Sequence, residues 1–517
     1  MSAAIAEPET THQATKADQS AWIVKQVQNA RRVSVPLVAV ATTDPGATVN
    51  ALATRIRGED LIKLEWDVVR GITPRGELAT EWWNSNKPDG YDPTPGNPVA
   101  MLTLAVKLPA NAIVFLHMVN RFTADASVVQ AIWNLRDAFK VDRRMLVMLG
   151  PAHQLPPELK DDVVVFDEPL PTEGELAEIV RTQHQNARLV SDDECTAKAV
   201  EALRGLSAFA AEQVTAMCLR KTGLDHDGLW QRKRQQIEQT PGLRVWQGGD
   251  DFSQIGGCEV VKSFLARIMH GPGRPHAVVF VDEIEKMLGG AGGDLSGVTQ
   301  DQLGCLLSYM QDHESAGAIF IGPPGAAKSA IAKAAGSEGG IPTIQLDLGA
   351  AKGSLVGQSE HQLRNALKVV TAVSNSKSLW IATCNSITDL PPELRRRFTL
   401  GTFFFDLPTP EERESIWQIW QKRYQIDLVK NGERPNDDGW TGAEIKQCCD
   451  LAWRLGCSLQ DAGAYVVPVS RSAPDKLTRL REMASGKFLS ASYPGVYDQS
   501  RKPTTSKKRS ARSIDLE

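Results

Sequence analysis

The sequence lacks the features that mark secreted, membrane-spanning and zinc-binding proteins. None of its eight cysteines forms a CxxC pair, which leaves little support for a zinc site or a disulfide framework. No run of 18 apolar residues occurs, so no transmembrane helix is predicted. The first 20 residues also lack the basic start and apolar stretch of a signal peptide. These absences predict reduced thiols and a cytoplasmic location without membrane contact.

An excess of charge of one sign is also missing. The chain of 517 residues has 58 Lys and Arg against 62 Asp and Glu, a formal net charge of −4. Such a balance gives no global attraction to nucleic acid or to an anionic membrane, although local basic patches leave nucleic acid open as a partner. With 42% hydrophobic residues the composition is that of a globular protein of several domains.

Apolar stretches typical of buried parallel strands alternate with helical patterns along both halves of the chain. The repeated order of strand, helix and strand predicts two α/β domains. The stretches span residues 35–42, 61–69, 112–119, 144–150, 162–168, 277–283, 317–322, 343–348, 378–385 and 403–408.

Short sequence matches relate the two halves. They occur in the same order at a nearly constant spacing, which favours a tandem duplication whose copies have diverged. The matching segments are 155–159 with 390–394, 166–176 with 405–413, and 205–214 with 439–448.

Residues 317–336, GAIFIGPPGAAKSAIAKAAG, indicate an apolar strand, a Gly/Pro loop and an Ala-rich helix, the arrangement of a P-loop. Backbone N–H groups of such a loop form an anion-binding nest at the helix N-terminus. Lys328 is predicted to reach the β- and γ-phosphates of a nucleotide and Ser329 to ligate Mg²⁺. Ala327 stands where glycine is usual, and we expect its methyl group to be tolerated only at negative φ. The predicted nucleotide-binding residues of this segment are Gly322, Pro323, Pro324, Gly325, Ala326, Ala327, Lys328, Ser329 and Ala330.

An acidic pair follows another apolar strand, in AVVFVDEIEK (277–286). The strand carries Asp282 and Glu283 to its carboxyl end, where α/β sheets bind their ligands. Asp282 is predicted to hold the Mg²⁺ shell and Glu283 to polarise the attacking water. This unit precedes the P-loop in the chain, and we expect it to keep its place in the sheet through altered connections, because parallel β-α units can be re-ordered.

Together these motifs resemble those of AAA+ ATPases. More narrowly, they resemble the AAA-type ATPases of chloroplast and cyanobacterial genomes, which have a degenerate AAA-like N-terminal half and one active module. The resemblance covers most of residues 30–495. It implies tandem P-loop-type α/β domains with parallel sheets, the first degenerate and the second active, each followed by a small helical lid. The permuted acidic strand departs from the family's usual order.

The resemblance also implies roles for residues outside the P-loop. Asn385, at the end of a predicted strand, corresponds to sensor 1 and would help orient the water. Arg397 is the first choice and Arg396 the second for an arginine finger that acts on a neighbouring subunit, and Arg395 is a further candidate. A solvated basic turn is the alternative. Gly442 and Ala443 correspond to the lid pair that abuts the nucleotide.

The first half lacks the corresponding chemistry. TTDPGATV (42–49) occupies the P-loop position without a Lys-Ser or Lys-Thr pair, and 112–122 ends without an acidic pair. Lys160, Asp161 and Asp162 replace the arginines. We therefore predict a retired nucleotide site with a structural or partner-binding role.

The expected function is that of an ATP- and Mg²⁺-dependent ATPase that forms a ring-shaped homo-oligomer, expected to be a hexamer, and remodels an unidentified protein or protein complex. The alternative is a nucleotide-switched scaffold or DNA-associated motor with its specificity in the N-terminal half. The predicted organisation is a disordered tail (1–20), a degenerate AAA-like α/β domain (30–180), a helical lid or linker (181–240), an AAA+ core (250–410), a helical lid with C-terminal segment (411–495) and a basic disordered tail (496–517).

Overall fold

The chain divides into two compact units, Met1–Leu229 and Trp230–Glu517. Most of the predicted tails, residues 1–18 and 502–517, lie outside the described residues. Within the described ranges, none of the helices is long and apolar enough to cross a membrane. The computed structural model describes residues 19–58, 60–88, 90–91, 96–151, 155–285, 298–313, 315–347, 358–386, 392–427 and 432–501.

The first unit is an α/β sheet domain followed by helices. Its helices and strands are α1 (Gln19–Arg32), β1 (Leu37–Ala41), α2 (Pro45–Arg55), β2 (Lys63–Asp67), β3 (Gly71–Pro74), α3 (Glu77–Asn86), α4 (Pro98–Ala105), β4 (Ile113–His117), α5 (Ala126–Val141), β5 (Met145–Gly150), β6 (Val164–Asp167), α6 (Glu173–Asn186), α7 (Asp193–Leu203), α8 (Ala208–Cys218), β7 (Leu219–Arg220) and β8 (Gly223–Leu224). Helix α9 (His226–Glu238) spans the division between the units.

The second unit repeats this plan. Its helices and strands are β9 (Leu243–Val245), α10 (Glu259–His270), β10 (Ala277–Val281), α11 (Val298–Asp312), β11 (Ala316–Ile321), α12 (Lys328–Gly339), β12 (Thr343–Leu346), α13 (Gln358–Ser374), β13 (Ser378–Cys384), α14 (Pro392–Arg397), β14 (Gly401–Phe404), α15 (Pro410–Arg423), α16 (Gly442–Leu455), α17 (Leu459–Gly463), α18 (Val469–Ser472), α19 (Pro474–Ala484) and β15 (Leu489–Ser490). Short 3₁₀ turns add to both units at Val119–Arg121, Pro157–Leu159 and Phe252–Gln254.

Both sheets are buried on both faces, which explains the continuous apolar runs of the sequence. Along β1, Leu37 and Ala39 belong to one core cluster, whereas Val38 and Val40 belong to the cluster on the opposite face. Strands β10, β11 and β13 divide their side chains between two clusters in the same alternating way. Because nearly every side chain of these central strands is buried, helices must cover both faces of the sheet.

When the second sheet is read from its opposite edge, its first six strands have the same spatial order as the six strands of the first sheet, and β15 is an additional edge strand. The first runs β3-β2-β4-β5-β1-β6, and the second runs β15-β14-β11-β13-β10-β12-β9. Pairing is parallel throughout, except that the edge strands β3 and β9 run antiparallel to β2 and β12. The predicted fold class, tandem α/β units with parallel-dominated sheets, is thereby confirmed.

The strand that carries the acidic pair reaches its expected place by a different route. Strand β10 precedes β11 in the chain but lies between β12 and β13, with Val279 opposite both Ile344 and Trp380. In the first sheet the equivalent place, between β2 and β5, is held by β4, which follows β2 in the chain. The second sheet therefore keeps the strand order of the first with one β-α unit displaced in sequence.

Candidate active site

The Gly/Pro loop between β11 and α12, residues 322–327, is clamped from two sides. A Cβ at Gly322 would overlap the carbonyl oxygen of Phe405, just beyond β14. At Gly325, where φ is +81°, a Cβ would lie 2.7 Å from the Thr441 hydroxyl of the lid. Only glycine fits either position, and the loop's backbone can therefore curl around a ligand at the N-terminus of α12.

Ala327 corrects one expectation from the sequence. It adopts φ 65° and ψ 7°, in the left-handed region, instead of the negative φ that we expected its methyl group to require. An L-residue with a Cβ pays about 1–2 kcal/mol for this conformation. In this conformation Ala327 occupies the N-terminal cap position of α12, and its carbonyl accepts the N–H of Ile331 at 3.0 Å.

Lys328 is buried at the first position of α12 and turns back onto the loop. Its Nζ donates hydrogen bonds to the carbonyl oxygens of Gly322 at 2.8 Å and Pro323 at 2.7 Å. Burial lowers the pKa of Lys328 to about 8, while nearby acidic groups, Glu285 foremost, oppose that change. The ammonium is therefore held inside the loop, where a phosphate would be bound.

Ser329, on α12, forms a hydrogen bond with Asp282, which directly follows the displaced strand β10. The Ser329 hydroxyl donates to Oδ1 of Asp282 at 2.8 Å, although the two residues are 47 positions apart in the chain. The hydroxyl of Thr383, on the neighbouring strand β13, donates to the same Oδ1 at 2.6 Å. A serine hydroxyl beside an aspartate is a set of hard oxygen ligands, and it fits Mg²⁺.

Glu283 and Asn385 also lie side by side. The Asn385 side-chain amide donates to Oε1 of Glu283 at 3.1 Å, and the backbone N–H of Glu283 donates to the Thr383 hydroxyl at 3.0 Å. Glu283 has a φ of 48°, a strained conformation for this residue type that often occurs at functional sites. The predicted sensor and the predicted catalytic carboxylate are thus in direct contact.

Glu285 belongs to the same cluster, although we did not predict it. Its Oε1 accepts the backbone N–H of Asn385 at 2.9 Å. Its Oε2 is buried and has no hydrogen-bond partner among the described residues. The sequence did contain an indication of this residue. Glu285 is the third acidic residue in the segment Asp282–Glu285, which follows the strand at its carboxyl end.

The predicted lid pair contacts the P-loop. Gly442 and Ala443 begin α16, and the Ala443 N–H points at the Gly325 carbonyl oxygen at 3.4 Å. Glu444 anchors this turn by accepting the N–H of Thr441 at 2.7 Å. Of the remaining predicted loop residues, Pro323 and Ala326 are buried and Pro324 and Ala330 are exposed.

The predicted finger arginines lie on the short helix α14. Arg397 donates to the side-chain oxygen of Gln311 on α11 at 2.7 Å, and Arg396 is exposed. Arg395 and Arg396 line a cavity of about 450 Å³ together with Lys487. Two residues of the predicted finger segment, Leu390 and Pro391, lie outside the described residues.

The corresponding loop of the first unit, between β1 and α2, is filled by its own side chains. The carboxylate of Asp44 caps α2 and accepts the N–H of Ala47 at 3.0 Å. The Thr48 hydroxyl donates to Glu168 at 2.7 Å. Burial raises the pKa of Glu168, and the negative charge of Asp44 adds to that rise. The Asp44 carboxylate places a negative charge at the N-terminus of α2, and this charge opposes the binding of a phosphate there.

Two family models match separate parts of the chain. Residues 23–168 match the family model described as "SpoVK-like AAA ATPase, N-terminal domain". Residues 318–376 match the model described as "ATPase family associated with various cellular activities (AAA)". The second match starts within β11 and therefore does not include the displaced strand β10.

Similar proteins also span most of the chain. The "Uncharacterized AAA domain-containing protein ycf46" of Gracilaria tenuistipitata var. liui is 26% identical over 466 residues, 78% of this chain and 87% of that protein. Those of Trieres chinensis and Guillardia theta are 25% and 23% identical, covering 74% and 83% of this chain and 78% and 88% of the relatives. The chain therefore carries AAA ATPase domains and is homologous to the ycf46 AAA domain-containing proteins.

Proposed function

We propose that the second unit binds ATP with Mg²⁺ and hydrolyses it, and that the chain works as a ring-forming homo-oligomer that remodels a protein or protein complex. One observation carries the ATPase proposal. The hydrogen bond from Ser329 to Asp282 brings the P-loop helix against the acidic strand, with Glu283 and Asn385 beside them. These are the parts that phosphoryl transfer to water requires.

The residues present fit both ATP and Mg²⁺. Glycine at positions 322 and 325 lets the loop pack closely against Phe405 and Thr441, so that its backbone can curl around a phosphate. The Ser329 hydroxyl and the Asp282 carboxylate supply oxygen ligands for Mg²⁺. Bound Mg²⁺ would neutralise charge on the β- and γ-phosphates. Gly442 and Ala443 would close the site from the lid.

Each polar side chain then has a specific task. Lys328 exchanges the carbonyl oxygens of Gly322 and Pro323 for phosphate oxygens, so that its positive charge moves from the loop to the ligand. Glu283 orients the attacking water and accepts its proton. Asn385 holds the Glu283 carboxylate through its amide and so fixes the direction of that acceptor.

An oligomer is proposed because of the arginines on α14. Arg397, or Arg396 as the second choice, would act on the phosphates of a neighbouring subunit, where an arginine is worth about 10³–10⁵ in rate. The exposure of Arg396 is compatible with such a contact. A net charge of −4 favours a protein substrate over nucleic acid.

Phosphate release by the purified full chain tests the ATPase proposal directly. Lys328→Ala should abolish nucleotide binding, because no other side chain supplies the positive charge on the loop. Glu283→Gln should keep ATP affinity within a few-fold and stall hydrolysis, by about 10²–10⁴-fold. Undiminished turnover in Glu283→Gln would contradict the assignment of the displaced acidic strand to this site.

Mixed oligomers test the shared site. Arg397→Ala and Glu283→Gln subunits should each be inactive alone, and mixing them should restore activity where an intact arginine meets an intact glutamate. Light scattering with ATP gives the subunit number of the same samples. A monomer that hydrolyses ATP at full rate would contradict the ring proposal.

A further inference from the structure

The carboxylate of Glu285 is placed to control the geometry of the candidate site without touching a substrate. It lies two residues beyond Glu283, and its Oε1 accepts the backbone N–H of Asn385 at 2.9 Å. That N–H is the first beyond the end of β13 at Cys384. Glu285 therefore fixes the chain at the point where β13 leaves the sheet.

Asn385 is consequently held at two points by the acidic segment. Glu285 binds its backbone, and Glu283 accepts its side-chain amide at 3.1 Å. Because both groups belong to one residue, the direction of the amide depends on where the backbone is anchored. A third hydrogen bond runs in the opposite direction, because the Glu283 N–H donates to the Thr383 hydroxyl at 3.0 Å. Together the three hydrogen bonds join the carboxyl ends of β10 and β13.

The environment of Glu285 differs from that of a solvated surface glutamate. Its second oxygen, Oε2, is buried without a hydrogen-bond partner among the described residues. A buried acceptor without a donor costs about 1–3 kcal/mol. The nearby Lys328 ammonium, whose fall in pKa is opposed by the charge of Glu285, offsets part of this cost.

We propose that Glu285 is a positioning residue for ATP hydrolysis: through the backbone of Asn385 it keeps the Asn385 amide on Glu283, and so aligns the carboxylate that accepts the proton of water. The inference rests on the proposed ATPase function. It predicts a large effect on the chemical step and a small effect on ATP binding, because Glu285 hydrogen-bonds the backbone of Asn385 and acts on the Lys328 ammonium only through space.

Substitutions at Glu285 in the full chain separate this role from a purely structural one. Glu285→Ala removes the acceptor and should lower kcat by about 10- to 100-fold, with the Kd for methylanthraniloyl-ATP within about 3-fold of the unsubstituted chain. Glu285→Gln keeps an oxygen acceptor and should retain kcat within about 3-fold. Glu285→Asp is too short to reach the N–H and should behave like Glu285→Ala, and thermal unfolding of each variant identifies any that fails to fold.

A double-mutant cycle identifies the intermediary. If Glu285 acts through Asn385, then Glu285→Ala should lower kcat by less than about 2-fold in an Asn385→Ala chain. Equal losses with and without Asn385 would overturn the inference, as would an equal loss in Glu285→Gln and Glu285→Ala. An unsubstituted chain that fails to hydrolyse ATP defeats the proposed function itself, whereas an active chain with full activity in Glu285→Ala defeats only this inference.

Discussion

Six strands have the same spatial order in the two sheets of this protein, but the loop before the helix that follows β1 or β11 carries different chemistry in each. In the second unit, α12 begins with Lys328 and a loop free of acidic side chains. In the first unit, the carboxylate of Asp44 caps the N-terminus of α2. Strand order follows from apolar runs that must be buried on both faces, whereas ligand binding depends on a few loop residues. A sheet of this kind can therefore lose its site and keep its fold.

The sheets also differ in the chain connections of one strand, which is β4 beside β5 in the first sheet and β10 beside β13 in the second. In the first unit β4 follows β2, and in the second β10 precedes β11, yet both occupy the same place. Because all the central strands run in one direction, a β-α unit can enter the sheet from either end of the chain if its loops are long enough. Position in the sheet, and not position in the sequence, brings Asp282 to Ser329.

The largest expected effect is on ATP affinity, and it comes from giving the loop before α12 the negative charge that Asp44 gives the loop before α2. Ala327→Asp puts a carboxylate at the cap position that Asp44 holds in the first unit, and aspartate tolerates positive φ. A negative charge about 4 Å from phosphate costs several kcal/mol, so ATP affinity should fall by at least about 100-fold. Titration with methylanthraniloyl-ATP measures this. The neutral control, Ala327→Asn, should lose less than about 10-fold, and an equal loss in both would show that charge is not the cause.

Glycine substitutions compare the two loops sterically. Gly322→Ala places a methyl group on the Phe405 carbonyl oxygen and should lower the free energy of unfolding of the second unit by about 1–3 kcal/mol or more. In Gly46→Ala the new methyl group would lie 3.6 Å from the Asp44 carboxylate, which is an ordinary contact distance. Because alanine has a higher helix propensity than glycine, the first unit should be unchanged or slightly more stable. Urea unfolding with hydrogen exchange to locate each unit measures both. A destabilised Gly46→Ala chain would contradict the contrast.

Substitutions at the two cap positions should change stability in opposite directions. Asp44→Ala removes a cap from α2 and should lower the free energy of unfolding by about 1 kcal/mol. Ala327→Gly relieves a left-handed residue and should raise it by about 0.5–1 kcal/mol after the entropy of the unfolded glycine is counted. The same unfolding experiment detects both. A loss of stability in Ala327→Gly would mean that the methyl group makes contacts worth more than the backbone strain.

The smallest effect concerns pH in the first unit. The folded-state pKa of Glu168 is raised by burial, so its ionisation opposes folding once the pH exceeds the unfolded value. Glu168→Gln removes that cost and keeps an acceptor for the Thr48 hydroxyl. The variant should therefore gain stability relative to the parent chain at pH 7.5 and lose most of this advantage near pH 4, where Glu168 of the parent chain is mostly protonated. Paired urea unfolding curves at the two pH values measure the difference, and a pH-independent difference would contradict it.

The sequence predicted the features that are local or apolar. The long strands, the P-loop with Lys328 and Ser329, and the acidic pair were visible because their residues are adjacent. The displacement of β10 was also predictable, since its motif occurs upstream and no acidic strand follows the P-loop.

Other features depend on contacts that sequence order hides. Glu285 acquires its role only where β10 and β13 meet, 100 residues apart in the chain. The short edge strands β9 and β15 have too few residues to show a periodic pattern. The positive φ of Ala327 is imposed by packing of the loop between β14 and the lid, which overrides the preference of alanine.

The displaced strand also has a consequence for synthesis on the ribosome. Strand β10 leaves the exit tunnel before both of its neighbours, β12 and β13, and Thr383 is translated 100 residues after Glu283. At roughly 5–20 residues per second, about 5–20 s pass before the nascent chain can bury this apolar segment on both edges. Until β13 has been synthesised, one edge of β10 lacks its partner strand, and an unpaired strand edge makes a nascent chain prone to aggregation.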